Sequence, residues 1–135
     1  MIQNMVLGGS GGDGGNAGIK TSTATVATNS NDISFSVDGI PTWFLLYAES
    51  ATRPTESSRR HLVMAYGEVD LSDSGEGYSY GQSTNCYYIS YYGAVSLVED
   101  KFTEYWYEDG MFGLMGYGSY YKMPANAVYN LCYTT

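Results

Sequence analysis

The stretch from Asp32 to Ala48, DISFSVDGIPTWFLLYA, constrains the fold of this chain more than any other. Ile33, Phe35 and Val37 alternate with Ser34 and Ser36, so one face is apolar and the other small and polar. That period of two is the signature of a half-buried strand. Asp38-Gly39-Ile40-Pro41 then interrupts the ladder, because glycine accepts positive φ and proline has no N–H to donate. Trp43 to Ala48 follows, apolar at nearly every position, as expected of a strand covered on both faces. The stretch reads as strand, tight turn, strand: a hairpin.

The same grammar recurs along the chain. Lys20 to Thr28, rich in Thr and Ala, predicts an edge or peripheral strand. Glu49 to Arg60 is polar, holds Pro54 and all the arginines, and predicts a surface loop. His61 to Tyr66 predicts a strand with Leu62, Met64 and Tyr66 on one side and His61, Val63 and Ala65 on the other. Tyr78–Tyr80, Cys86–Tyr92, Ala94–Glu99, Phe102–Glu108 and Met111–Met115 continue the series. Asp109-Gly110 between the last two predicts a type I′ turn, with positive φ at both centres. Gly113, Gly116 and Gly118 mark bulges or close backbone approach in the return strand. Tyr120 to Pro124 reads as loop or edge. Ala127 to Tyr133 closes the chain, with Tyr129, Leu131 and Tyr133 on one face of a strand apolar enough to lie inside its sheet. No stretch shows an apolar i, i+3, i+4, i+7 pattern with caps. The expected fold is all-β, an antiparallel β-sandwich of jelly-roll or Ig-like type.

The N-terminus differs. Met1 to Leu7 is apolar and strand-length, and Gly8 to Gly18 follows with seven glycines in eleven residues. Such a tract cannot pack a core, and as a free coil it spans roughly 18 Å. The expected domains are therefore an arm and tether, 1–18, and a sandwich, 19–135. Two readings of the arm stand: a terminus without a role, or a strand donated to another subunit's sheet edge. In the second, Met1, Ile2, Met5, Val6 and Leu7 make the contact.

Composition narrows the function classes. The formal charge is −8 with only 6 Lys+Arg, which disfavours nucleic acid and anionic membranes as partners. There is no run of about 18 apolar residues and no basic leader, so neither a transmembrane helix nor Sec export is expected. Cys86 and Cys132 are expected as buried thiols, since nothing in their spacing requires a bridge. His61 is the single histidine, and no G-x-S-x-G turn or C-x-x-C pair accompanies it. No catalytic residue, metal or cofactor is expected.

Two acidic clusters are candidates for chemistry. Glu68, Asp70, Asp73 and Glu76 lie in a glycine-rich connection of the kind Ca²⁺ prefers, but their spacing does not match a cation loop. Glu99, Asp100, Glu104, Glu108 and Asp109 lie near Tyr105 and Trp106, as a glycosidase's paired carboxylates would. Alternating acids on a strand are common without catalysis, and a non-enzymatic chain is expected. With 15 Tyr, the aromatics are the more informative surface. Tyr88, Tyr105, Trp106 and Tyr107 are the candidate surface aromatics, able to stack on glycan or bury at an interface.

The succession ISFSVDGIPTWFLLYA, HLVMAYG, FTEYWYEDGMFGLMG and AVYNLCY resembles small β-rich structural proteins of tailed bacteriophages and prophages of Gram-positive gut bacteria. The likeness covers about residues 20–135 and rests on an F-x-V-x-G-x-P-x-x-F segment, Phe35 to Phe44, and a terminal Y-x-L-x-Y strand, Tyr129 to Tyr133. It implies a structural role in a virion assembled in the host cytoplasm. The expectation is a capsid decoration, cement or head-fibre protein, homo-oligomeric, with other virion proteins as partners: the major capsid protein or tail components. The alternative is a tail-fibre or baseplate module that binds cell-surface glycan.

Overall fold

A computed structural model describes residues 18–27, 32–75, 78–81, 84–99, 101–116 and 120–135. The arm residues Met1, Ile2, Met5, Val6 and Leu7 lie outside the described residues, as does Gly118. In chain order the described strands are β1 (Lys20–Thr25), β2 (Asp32–Ser36), β3 (Trp43–Ala48), β4 (Arg60–Glu68), β5 (Asp73–Gly75), β6 (Tyr78–Gly81), β7 (Asn85–Ser90), β8 (Val95–Glu99), β9 (Phe102–Glu108), β10 (Met111–Gly116), β11 (Tyr121–Lys122) and β12 (Val128–Thr134). No helix occurs among the described residues.

The strands form two sheets packed as a sandwich. One runs β1-β12-β3-β4-β7-β8, with β11 beside β4, and the other runs β2-β10-β9-β6-β5. Pairing is antiparallel except for β11, whose two residues lie parallel to Arg60 and His61 where β3 has already ended. As expected, β12 is interior to its sheet and β1 is an edge. Asp109 and Gly110 have φ of 49° and 80°, the two left-handed centres expected between β9 and β10.

The core lies between the sheets. Phe44 of β3 meets Tyr105 of β9 and Phe112 of β10, with ring centroids 6.2 and 5.6 Å away. These three rings tie one sheet to the other, and burying each contributes about 1.5–3 kcal/mol. Ile33, Phe35 and Leu114 extend the cluster from one side, and Leu46, Leu62, Ala65, Tyr129, Leu131 and Tyr133 from the other. Buried tyrosine hydroxyls are satisfied by backbone. Tyr129 Oη donates to Leu62 O at 2.6 Å. Tyr105 Oη donates to Glu68 O and accepts from Asp70 N–H.

Three local expectations are corrected. The stretch 32–48 is not a hairpin: β2 pairs with β10, whereas β3 pairs with β12 and β4. The connection carries the chain from one sheet to the other, with Gly39 at φ 105°, Pro41 buried, and Asp38 N–H donating to Tyr133 Oη at 2.8 Å. Alternation fixes which side of a strand faces the core and says nothing of the strand beside it, so both arrangements satisfy the pattern. Strand β4 does not keep its expected sides either. Its register slips between Leu62 and Met64, so Val63 bulges and Leu62 and Ala65 both face the core. Finally, β7 ends at Ser90. Tyr91 and Tyr92 form the turn to β8 with Gly93 at φ 86°, and Ser90 Oγ accepts from the Tyr92 and Ala94 amides.

Candidate functional site

The expected surface aromatics separate into two groups. Tyr88 and Tyr105 are not surface residues: each is 2% exposed. Alternation explains this, since Cys86 and Tyr88 share the inner face of β7 and leave Tyr87 outside. Tyr88 packs edge-on against Tyr121 at 4.9 Å, and burial raises its hydroxyl pKa well above the ordinary value. Trp106 and Tyr107 are partly buried. Tyr107 stands in register with the buried Phe112, on the core side of β9. Trp106 therefore stands on the outer side, opposite Gly113. A Cβ at Gly113 would run into the indole at Cε2, Cζ2 and Nε1, so the ring lies across the glycine backbone. This is the close approach that the glycine predicted.

Among the described residues, the candidate titratable groups lie apart. His61 is partly buried, with Nδ1 2.9 Å from Thr52 O. Burial holds its pKa below the ordinary value, against the Thr52 carbonyl, which raises it, and with Arg59, which lowers it further. The second acidic cluster is split: Glu99 lies on β8 of the larger sheet, and Glu104 and Glu108 on β9 of the smaller. Asp100 and Glu76 lie outside the described residues. Among the described residues no three His, Cys, Asp or Glu side chains are grouped to hold a metal ion. Cys86 and Cys132 are thiols and not a disulfide; Cys86 is buried as expected, whereas Cys132, in register with the outward Leu45, is only partly buried, and that burial raises its pKa.

The feature that stands out is the outer face of the larger sheet. Tyr47, Met64, Tyr87 and Leu97 lie in one row across β3, β4, β7 and β8. Leu45 and Tyr66 lie in the next row, and Ile89 and Val95 flank the first on the other side. Tyr66 and Tyr87 stack across β4 and β7, centroids 6.5 Å apart and planes 17° from parallel. The row ends in solvent. Val95 is 53% exposed and Leu97 43%, and beside them Tyr92 in the β7–β8 turn is 77% exposed. On its other side β8 pairs with no described strand.

The signal for this surface was present in WFLLYA. With Phe44 and Leu46 turned inward, Leu45 and Tyr47 must stand outside. The continuous apolar run predicts cover on both faces, and the described residues cover only the Phe44–Leu46 side. An apolar stripe that reaches an open edge is what sheets that receive another strand or subunit present. No protein-family model matches the chain, and neither does any curated protein or solved structure.

Proposed function

We propose that this chain is a non-enzymatic structural protein of a bacteriophage virion, a capsid decoration, cement or head-fibre protein held on the particle through its N-terminal arm. The observation that carries this reading is the apolar row Tyr47–Met64–Tyr87–Leu97 on the solvent side of the larger sheet. The row stands outside the core, which Phe44, Leu46 and the opposed sheet form on the other face. A surface kept apolar without being core is suited to contact between subunits. The charge of −8 keeps unassembled copies soluble, and repeated copies on a lattice multiply weak contacts into firm attachment. The test is deletion of residues 1–18. Particles made with the shortened chain should be bare on imaging, while the purified protein keeps its β-sheet circular dichroism and cooperative melt. Shortened protein found on particles at full occupancy contradicts the anchor.

A second reading is favoured by Trp106, whose indole lies across Gly113 on the outer face of the smaller sheet. An aromatic plane between Glu104 and Glu108 on the same strand face can stack on a sugar while carboxylates accept from its hydroxyls. In that case the chain is a tail-fibre or baseplate module for cell-surface glycan. Glycan-array binding that vanishes in Trp106→Ala supports it, and an array without signal removes it.

A further inference from the structure

We propose that β8 is an acceptor edge and that the strand it takes is Met1–Leu7 of a second copy of this chain. The inference rests on the reading of the arm as the attachment element, and names its acceptor in the free protein, before a particle competes for it. Open edges of natural sheets are normally blunted by lysine, proline, a bulge or shortness. The other edges here follow that rule. Strand β1 is made of Thr, Ser and Ala around Lys20, whose ammonium reaches the Asp38 carbonyl at 2.9 Å. Strand β5 is three residues long. Strand β2 offers solvent only Asp32, Ser34 and Ser36. Strand β8, VSLVE, has no lysine or proline, carries its one charge at the terminal Glu99, and exposes Val95 and Leu97 in a register against β7 that runs without a bulge.

The arm fits that edge by chemistry. Placed antiparallel with Met5 opposite Leu97, it sets Leu7 beside Val95 and Gln3 beside Glu99 on the outer face. The apolar row then gains a further member, and the glutamine amide can donate to the carboxylate. On the inner face, Val6 falls beside Ser96 and Asn4 beside Val98.

Geometry and charge favour a second copy as the acceptor. Strands β1 and β8 are opposite edges of one sheet, five strand spacings or about 24 Å apart. Thr21, Cys132, Leu45, Tyr66, Asn85 and Glu99 lie in one row, so the arm departs from the Glu99 end of the sheet. Reaching the Val95 end of its own β8 would stretch the tether to about 28 Å diagonally, inside its extended length of roughly 36 Å but well beyond its relaxed span of roughly 18 Å. Direct pairing of two β8 edges would bring two chains of formal charge −8 into contact. An uncharged strand on a tether longer than the ~8 Å screening length lets the bodies stay apart. Exchanged reciprocally, the two arms give a two-fold dimer.

Complementation tests this with the purified chain alone. By sedimentation equilibrium at tens of micromolar, the full chain should have twice the monomer mass. Deletion of 1–18 and, separately, Leu97→Lys should each halve it. Mixing the two variants should restore a one-to-one dimer, since one keeps the acceptor edge and the other keeps the arm. Val95→Lys replaces Leu97→Lys if the latter loses its β-sheet circular dichroism. A monomeric full chain, a dimer that survives loss of the arm, or variants that stay monomeric when mixed each overturn the proposal. A full chain that is monomeric alone yet coats particles overturns this inference and leaves the virion reading standing.

Discussion

The outer faces of the two sheets obey different rules. On the smaller sheet, Asp32, Ser34 and Ser36 of β2 and Glu104 and Glu108 of β9 are interspersed with Met111 and Met115 of β10 around Trp106, which is seated on Gly113. On the larger sheet, Tyr47, Met64, Tyr87 and Leu97 form an apolar row that ends at an open edge. Both sheets share one core, so the difference is not a demand of folding. The polar face is what a sandwich needs in water, and the apolar face is additional surface of the kind suited to contact.

The comparison can be broken by measuring what each face contributes to stability and what to association. The largest effect should come from Phe44→Ala in the shared core, because Phe44 is fully buried between Tyr105 and Phe112. A loss of about 3–5 kcal/mol in denaturant unfolding is expected, and a loss under 1 would mean the sheets are not tied there. Next is Gly113→Val on the polar face. The added side chain must displace the Trp106 indole, costing about 1–3 kcal/mol and shifting the indole fluorescence, with association of the native fraction unchanged. Tyr87→Ser on the apolar face should cost only about 0.5–1.5 kcal/mol, the scale of its stack with Tyr66, while weakening association. If Tyr87→Ser costs as much as Phe44→Ala, the apolar row is core and the distinction between the faces fails.

The smallest effect is pH dependence from His61, which shares a row with Ile89 and Val95 on the apolar face. Its folded pKa lies below the unfolded value of 6.5, so the unfolded chain binds the proton more readily. Its contribution is therefore fully present above 6.5 and is lost as pH falls through the folded pKa. A melting curve series from pH 7.5 to 5 should show a small decline that His61→Gln removes.

Much of this architecture was legible in the residues. Alternation in Ile33–Phe35 and Tyr129–Leu131–Tyr133 marked the inward faces, and Asp109-Gly110 named its own turn. What was not legible depends on partners distant in sequence. Whether β3 lies beside β2 or across the core from it is decided by β10, β12 and β4. The slip at Val63 moves Met64 outward and Ala65 inward, and a single strand's pattern carries no mark of it. The tyrosines of CYYISYY looked alike, yet Tyr88 is core, Tyr87 is stripe and Tyr92 is turn, because the strand stops at Ser90. The stripe was hidden for a related reason: a continuous apolar run reads as doubly covered, and only the described fold shows that one cover is missing.

Amide hydrogen exchange at Val95–Glu99, with and without residues 1–18, addresses the open edge most directly. The account predicts that the β8 amides not bonded to β7 exchange slowly in the full chain at high concentration, and fast after dilution or after removal of the arm. Equal exchange in the two proteins at every concentration would contradict it.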